Sequence, residues 1–157
     1  MHDAVREWVA AWCLDRFDRV IEIGARDING GVRDLIDTAC YIGVDLEPGP
    51  GVDLVQDART TQGVYDLVLC LEVLEHDPDP VGLIDTLGRL CVPGGLVVAT
   101  AGGRGRGPHS AHDGGVLRDG EHYGNLTETH FCVGWGEVLG CVIADYDWRV
   151  AWKKHGE

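Results

Sequence analysis

The segment Tyr65–Leu71, YDLVLCL, is apolar at every position except Asp66. A strand with one solvated face alternates apolar and polar residues, whereas a strand that is buried on both faces does not. Burial on both faces is typical of the centre of a parallel sheet with helices on either side. The segment therefore predicts an α/β chain with a covered central strand.

Strand-like and helix-like segments alternate along most of the chain. Strands are predicted at residues 19–23, 41–45, 52–55, 65–71 and 96–101, and helices at residues 2–17, from Asn29 or Gly30 through Ile36, and at residues 81–91 and 127–139. Residues 141–145 and 148–153 predict two strands joined by a tight hairpin. This alternation predicts a Rossmann-like, doubly wound, mostly parallel seven-stranded sheet with a C-terminal antiparallel hairpin. We expect residues 1–157 to form one domain, since no linker or repeat interrupts the pattern.

Acidic residues stand where the first four predicted strands end. They are Glu22, Asp45, Asp57, and Glu72 with Glu75. In an open α/β sheet the ligand lies beyond the carboxyl ends of the strands, where the strand order reverses. We therefore expect these carboxylates to surround a ligand at that edge.

The loop after the first strand indicates which ligand this is. Asp45 follows Gly24 by 21 positions, an offset at which an acid accepts hydrogen bonds from ribose hydroxyls. A dinucleotide loop reads G-x-G-x-x-G, but Arg26 and Asn29 occupy its second and third glycine positions, and Asp27 adds a negative charge where a pyrophosphate would dock. The loop therefore disfavours a nicotinamide-dependent oxidoreductase and favours a cationic or zwitterionic adenosine ligand such as S-adenosylmethionine.

Each strand end then has an expected partner on that ligand. Glu22 would face the ammonium group, Asp45 the ribose and Asp57 the adenine amino group. Arg26 either pairs with the ligand carboxylate or is an exposed surface arginine.

The segments EIGARDINGG, YIGVDL, VQDA, YDLVLCLEVLEH and LCVPGGLVVAT occur in this order between residues 19 and 101. In order and spacing they resemble the glycine loop, ribose acid, adenine acid, fourth strand and fifth strand of class I S-adenosylmethionine-dependent methyltransferases. The chain looks most similar to small, stand-alone methyltransferases of types 11 and 23, as found in actinobacteria and their phages.

The resemblance implies roles for individual residues. Gly24 would approach the methionine portion of S-adenosylmethionine, Asp45 would hold the ribose, Asp57 and Ala58 would meet the adenine, and Leu71 and Glu72 would border the methyl group. The full predicted cofactor-binding set is Glu22, Gly24, Arg26, Asn29, Gly30, Asp45, Leu46, Asp57, Ala58, Leu71 and Glu72. The family's G-x-G-x-G loop has become Gly24-x-Arg26-x-x-Asn29-Gly30, which predicts a tighter or altered methionine pocket.

Three histidines are candidate catalytic residues. Methyl transfer is an in-line displacement that depends on alignment, so a base is needed only for an acceptor that starts protonated. His76 follows the fourth strand and either acts as this base or orients its loop. His109 and His112 lie in the loop after the fifth strand and either meet the substrate or are solvated. No metal site is predicted, because H-x-x-H-D at residues 109–113 is a weak metal signal.

The net charge and the cysteine content limit the kinds of partner and the cellular compartment that we expect for this protein. The formal net charge of -13, from 13 basic and 26 acidic residues, makes nucleic acid an unlikely partner. The acidity indicates either a solvated surface or a preference for a cationic or small neutral ligand. Six scattered cysteines without a C-x-x-C pair predict buried, reduced thiols of a cytoplasmic protein. No apolar run reaches the ~20 residues of a membrane span.

Two functions remain as predictions. The first is an S-adenosylmethionine-dependent methyltransferase whose acceptor is a small molecule or a residue presented by a partner protein. The alternative is a non-catalytic, methyltransferase-like binding or regulatory protein that acts through a protein partner. Product release with a panel of acceptors would separate the two.

Overall fold

The computed structural model describes residues 3–156. The strands are β1 (Phe17–Ile23), β2 (Thr38–Asp45), β3 (Leu54–Val55), β4 (Tyr65–Leu71), β5 (Cys91–Gly102), β6 (Gly136–Ala144) and β7 (Asp147–Lys154). The α-helices are α1 (Asp3–Trp12) and α2 (Pro80–Leu90). Short 3₁₀ turns lie at Arg33–Leu35, Ala58–Thr60, Leu74–His76 and Glu128–Phe131.

The seven strands form one sheet in the order β3-β2-β1-β4-β5-β7-β6. β1 pairs in parallel with both β2 and β4, and β4 pairs in parallel with β5. β7 runs antiparallel to both of its neighbours, β5 and β6. The strand order reverses between β1 and β4, which places the topological switch point there. The predicted fold class is confirmed.

The central strand β4 is buried on both faces, as its sequence predicts. Leu67, Leu69 and Leu71 pack in the cluster that includes Val5 and Val9 of α1. The intervening residues Val68 and Cys70 pack in the opposite cluster with the apolar face of α2. Because successive side chains of a strand point to opposite faces, two covered faces require apolar residues at nearly every position.

Helix α1 is shorter than predicted and ends at Trp12. Residue 2, with which the predicted helix begins, lies outside the described residues. The rings of Trp8 and Trp12 pack edge to face with centroids 5.6 Å apart. Both rings cover Gly140 of β6, where an added Cβ would lie 2.6 Å from Trp12. The two tryptophans therefore pack between α1 and the sheet.

The helix predicted from Asn29 or Gly30 through Ile36 is wrong. That segment contains only the 3₁₀ turn Arg33–Leu35. Gly30 has φ +94°, which no right-handed helix contains, and its N–H donates to Asp27 Oδ1 at 2.6 Å. A side-chain acceptor thus competes with helix formation here.

The helix predicted at residues 127–139 is also wrong. It is replaced by the turn Glu128–Phe131 and by the first part of β6, which begins at Gly136. Gly134 and Gly136 weaken a helix, and the free edge of β7 offers backbone pairing instead, with Val138 opposite Trp152. The predicted hairpin is confirmed, and its turn residues Asp145 and Tyr146 have φ +55° and +68°, as in a type I′ turn.

The cysteines are only partly as expected. All six are free, but Cys40, Cys132 and Cys141 are exposed, while Cys13, Cys70 and Cys91 are buried. The prediction of burial is wrong for the first three, because Cys141 lies on the edge strand β6, Cys132 lies in a loop, and Cys40 lies on the part of β2 that β3 does not pair with. No helix in the described residues combines the length and apolar character that spanning a bilayer requires.

Candidate active site

A cavity of about 1150 Å³ lies beyond the carboxyl ends of β1, β2 and β4. It therefore occupies the switch point between β1 and β4, where open α/β sheets bind their ligands. Cavities that bind one small molecule typically measure ~300–1,000 Å³. The volume is sufficient for two small molecules side by side.

Most of the predicted site residues meet in this cavity. Its wall includes Gly24, Arg26, Asn29, Gly30, Asp45, Leu46, Asp57, Ala58, Leu71, Glu72, His76, His109 and His112. Of the predicted set, Glu22 is not in the wall. Asp113, the last residue of the H-x-x-H-D segment, faces outward and pairs with Arg118 on the surface.

Glu22 lies in the packed layer on one face of β1, the face that also carries Val20. Its Oε2 accepts a hydrogen bond from the Tyr41 hydroxyl at 2.6 Å, and only 6% of the residue is exposed. Burial raises the pKa of the Glu22 carboxyl to about 7, against the lowering effect of the Tyr41 hydrogen bond. This position does not support the predicted contact with a ligand ammonium group.

The loop after β1 is tied to β2 by its backbone. The N–H groups of Gly24 and Ala25 both donate to the carbonyl of Val44, at 2.8 and 3.1 Å. Gly24 has φ +75°, and a Cβ there would lie 2.1 Å from Val73 Cγ2. Only glycine therefore allows this loop to pass under the loop that follows β4.

Asp45 ends β2 and organises the two loops on either side of it. Its Oδ2 accepts from the Arg26 N–H at 3.1 Å, and its Oδ1 accepts from the Glu47 N–H at 3.0 Å. These two bonds fix the carboxylate in the cavity wall. Each carboxylate oxygen can accept more than one hydrogen bond, so the group can still receive ligand hydroxyls.

Asp57 begins the 3₁₀ turn Ala58–Thr60, and its Oδ1 accepts from the Arg59 N–H at 2.8 Å. The Arg59 guanidinium binds both oxygens of Asp77, at 2.9 and 2.8 Å. This pairing raises the pKa of Arg59. The bidentate bridge links the segment after β3 to the segment after β4 and borders the cavity.

The cavity wall is predominantly acidic. Within the described residues, seven carboxylates line it, against three guanidinium groups. The carboxylates belong to Asp45, Glu47, Asp57, Glu72, Asp77, Asp79 and Glu121, and the guanidinium groups to Arg26, Arg59 and Arg106. The local charge therefore favours a ligand that carries positive charge.

The backbone after β4 turns sharply at Glu72, which has φ +59°. Its N–H donates to the Thr100 carbonyl at 2.9 Å, and its Oε2 lies 3.6 Å from Arg106 Nη2. Arg106 also pairs with the buried carboxylate of Asp147. A left-handed conformation in a residue other than glycine is uncommon and clusters at functional sites.

Three rings pack together beside this turn. The ring centroids of His76 and His109 lie 5.0 Å apart, and Tyr123 lies 5.4 Å from His76 and 4.9 Å from His109. Burial and the neighbouring His109 lower the pKa of His76 to about 4. Burial and the neighbouring Glu75 raise the pKa of Tyr123 to about 12. Both groups are therefore neutral near pH 7.

The loop of residues 103–125 crosses the mouth of the cavity and is held there by polar contacts, which we call the mouth latch: Arg26, Glu47, His112 and Glu121. Arg26 pairs with Glu47 and donates to the Ala111 carbonyl at 3.2 Å. His112 Nδ1 lies 3.1 Å from Glu47 Oε2, and His112 Nε2 lies 3.6 Å from Glu121 Oε1. Arg26 is thus occupied within the protein and is not a free surface arginine.

Sequence reasoning assigned no role to Glu47, and it placed Glu75 only among the acids expected to surround the ligand, whereas Glu75 is not in the cavity wall. Glu75 is fully buried by the turn Leu74–His76, although a charged residue just after a strand suggests a solvated loop. The sequence signal that could have singled out Glu75 is the spacing Glu72-x-x-Glu75-His76 directly after the fourth strand. Glu47 and Tyr123 acquire their roles through contacts with distant loops, which leave no local pattern.

A seven-stranded sheet in the order 3-2-1-4-5-7-6, with its cavity at the β1/β4 switch point, defines the class I S-adenosylmethionine-dependent methyltransferase fold. The family model described as "Methyltransferase domain" matches residues 3–133. The chain belongs to this family.

Solved structures support the same fold. The N-methyltransferase NodS from Bradyrhizobium japonicum, in complex with S-adenosyl-L-homocysteine, superimposes with a TM-score of 0.69 at 16% identity, covering 97% of this chain and 86% of NodS. The 1,6-didemethyltoxoflavin-N1-methyltransferase of Burkholderia thailandensis, with bound 1,6-didemethyltoxoflavin and S-adenosylhomocysteine, gives 0.71 at 15% identity, covering 98% and 79%.

Curated relatives match a shorter segment at higher identity. The ubiquinone biosynthesis O-methyltransferase of Pectobacterium atrosepticum is 44% identical over 57 residues, which are 33% of this chain and 24% of the relative. The enzyme of the same name from Burkholderia vietnamiensis is 39% identical over 67 residues, 43% of this chain and 28% of the relative. The matched segment spans about a quarter of the length of these relatives.

Proposed function

We propose that this protein binds S-adenosylmethionine in the switch-point cavity and transfers its methyl group to a small-molecule acceptor. The observation that carries the proposal is the position of Asp45, whose carboxylate is fixed in the cavity wall by the Arg26 and Glu47 N–H groups. The offset of 21 positions from Gly24 and the acidic wall around both residues support the same ligand.

The residues of the cavity suit a cationic adenosine ligand. Asp45 would accept the ribose hydroxyls, and Asp57 with Ala58 would border the adenine. Gly24 leaves backbone without a side chain near the methionine portion, and Leu71 with Glu72 would lie beside the methyl group. Within the described residues no α-helix lies between β1 and β2, so the site lacks the helix N-terminus that binds pyrophosphate.

S-adenosylmethionine supplies an electrophilic methyl group on a sulfonium, and a neutral thioether is the leaving group. The contribution of the chain is to align the acceptor and exclude water. The mouth latch holds the loop of residues 103–125 over the cavity, and the rings of His76, His109 and Tyr123 form an uncharged wall near Glu72. A neutral histidine in this wall can accept a proton from an acceptor hydroxyl.

The acceptor that fits best is a small molecule with a hydroxyl group. The cavity volume of about 1150 Å³ leaves space beside a nucleoside ligand, and the relatives matched at 39–44% identity are O-methyltransferases. We further propose that residues 1–157 act as one domain. We also propose a cytoplasmic location, since the six cysteines are all free and free thiols are typical of a reducing compartment.

The test is release of S-adenosylhomocysteine from S-adenosylmethionine in the presence of phenols, catechols and aliphatic alcohols. We expect release above the acceptor-free rate with at least one hydroxyl acceptor, and loss of this release in Asp45→Ala. A variant of the exposed Asp85 on α2, Asp85→Ala, is the matched control and should retain full activity. Binding of S-adenosylmethionine without release by any acceptor would favour the non-catalytic alternative.

A further inference from the structure

Glu75 has an unusual environment for a carboxylate. None of its surface is exposed, and within the described part of the chain no side chain donates a hydrogen bond to its carboxylate oxygens. Burial raises the pKa of the Glu75 carboxyl and the neighbouring Glu72 raises it further, whereas the backbone N–H groups of Glu75 and Gly102 oppose the rise. A buried carboxylate without a side-chain partner is costly unless it is protonated or faces a cation.

Two histidines complete a cluster around this carboxylate. A carboxylate oxygen of Glu75 and one ring nitrogen each from His76 and His109 all lie within 4.8 Å of one another. His109 Nδ1 lies 3.1 Å from the Gly107 carbonyl, so Nδ1 carries the proton and Nε2 presents its lone pair. A backbone carbonyl that fixes the tautomer in this way is a regular feature of histidines that bind metals.

The ring of His76 also has an unsatisfied atom. Its Nδ1 is buried and has no hydrogen-bond partner among residues 3–156. Two imidazole nitrogens and one carboxylate, with further coordination positions open, form the ligand set of many catalytic zinc sites and of other first-row divalent metals.

We propose that Glu75, His76 and His109 bind a divalent transition-metal cation, with Zn²⁺ the best match, at the acceptor end of the cavity. The cluster differs from the loop motif H-x-x-H-D, because His112 lies in the mouth latch and Asp113 faces outward. Glu72 adds negative charge nearby, which the Arg106 guanidinium partly offsets.

The use of the cation rests on the proposed methyl transfer, whereas its binding does not. His76 and His109 line the cavity beside Glu72 and Leu71, so an open coordination position would be available to an acceptor hydroxyl. Coordination lowers the pKa of a bound hydroxyl. With His76 and His109 engaged as ligands, the cation would replace a histidine base: the proton of the bound hydroxyl would leave to water, and the electron pair of the O–H bond would stay on the oxygen. That oxygen would form the bond to the methyl carbon, and the C–S bond would break with its electron pair going to the thioether.

The test measures metal binding directly on the full chain after removal of metals by a chelator. The exposed thiols are first replaced, as Cys40→Ser, Cys132→Ser and Cys141→Ser together, so that they do not compete for the metal. Co²⁺ is titrated and followed by its visible absorption, and Zn²⁺ is titrated by calorimetry. We expect one equivalent of each to bind, with nitrogen and oxygen ligation in the Co²⁺ spectrum and a higher melting temperature with Zn²⁺.

Matched variants identify the ligands. Glu75→Gln and His109→Ala should each weaken Zn²⁺ binding by more than about tenfold, while His155→Ala, at an exposed position near the C-terminus, should leave it unchanged. His109 lies in a loop, so its variant remains informative if Glu75→Gln fails to fold. Absence of stoichiometric binding, or equal affinity in both ligand variants and the parent, would overturn the proposal.

A titration of S-adenosylhomocysteine into the metal-free protein separates this proposal from the proposed function. Binding of the nucleoside without any binding of the cation overturns the metal site and leaves the methyltransferase assignment intact. Binding of the cation without the nucleoside supports the metal site and contradicts the proposed function.

Discussion

His112 and Glu47 meet across the mouth of the cavity, with His112 Nδ1 3.1 Å from Glu47 Oε2. One residue belongs to the loop after β5 and the other to the loop after β2, so the contact joins two segments that are 65 positions apart. Arg26 pairs with the same carboxylate from a third loop. These polar contacts hold the loop of residues 103–125 beside the mouth of the cavity.

Glu47→Gln should loosen the loop of residues 103–125 without unfolding the protein. The Glu47 side chain is 43% exposed, and an exposed ion pair contributes only ~0–1 kcal/mol to stability. We expect faster amide hydrogen exchange in this loop, faster dissociation of S-adenosylhomocysteine and a nearly unchanged melting temperature. Asp113→Asn is the control, because it removes the exposed pair with Arg118 in the same loop but leaves the mouth latch intact. Equal exchange rates in the two variants would contradict the role of the latch.

Gly24 and Gly94 provide a matched pair of glycine positions. Their φ angles are +75° and +77°, but a Cβ at Gly24 would lie 2.1 Å from Val73, whereas a Cβ at Gly94 would have nothing within 4 Å. Gly94→Ala should therefore lower the free energy of unfolding by about 1–2 kcal/mol, the cost of the left-handed conformation. Gly24→Ala should cost about 1–3 kcal/mol more, since Val73 must move. Urea denaturation measures both values, and an equal loss in the two variants would mean that Val73 moves freely.

The pH dependence of stability should reveal the buried Glu22. Its pKa is raised from 4.5 to about 7 by burial, with Tyr41 and Arg33 opposing the shift and Asp27 and Asp45 adding to it. Between these two pH values the unfolded chain loses the proton while the folded chain keeps it, so stability falls as the pH rises. Each tenfold change in acid dissociation corresponds to about 1.4 kcal/mol, which gives a total of about 3 kcal/mol.

Glu22→Gln removes this titration and keeps an acceptor for the Tyr41 hydroxyl. Its stability relative to the parent should increase by about 3 kcal/mol between pH 4.5 and pH 7.5, as measured by urea denaturation at several pH values. Tyr41→Phe removes a hydrogen bond that lowers the Glu22 pKa, so it should raise that pKa further in a carboxyl-carbon NMR titration. A stability difference that is independent of pH would show that Glu22 is ionised in the folded protein.

The sequence predicted the sheet well because strand burial leaves a local pattern. The apolar run of β4 and the acids after β1 to β4 depend only on neighbours in the chain and on the direction of parallel strands. The two wrong helices share a different cause. Near Gly30 a side-chain acceptor and a positive φ compete with the helix, and near Gly136 pairing with β7 replaces it.

The candidate site could be predicted only in part. Asp45 and Asp57 follow from their places at strand ends, whereas Glu22 is on the strand itself and points into the layer beside Tyr41. Glu75 and Tyr123 come together because the loop of residues 103–125 folds back, with the Gly124 N–H donating to the Glu75 carbonyl at 2.7 Å. Contacts between segments this far apart follow from the tertiary fold, so no regular spacing of residues in the sequence predicts them.

The most direct measurement is a calorimetric titration of S-adenosylhomocysteine into the parent protein, Asp45→Ala and Asp85→Ala. Asp45→Ala removes a carboxylate that would accept ribose hydroxyls, and a hydrogen bond to a charged group contributes ~1.5–3 kcal/mol. We therefore expect binding to the parent and to Asp85→Ala with the same affinity, and binding at least about tenfold weaker in Asp45→Ala. No binding to the parent, or an affinity that Asp45→Ala leaves unchanged, would contradict the assignment of this cavity to S-adenosylmethionine.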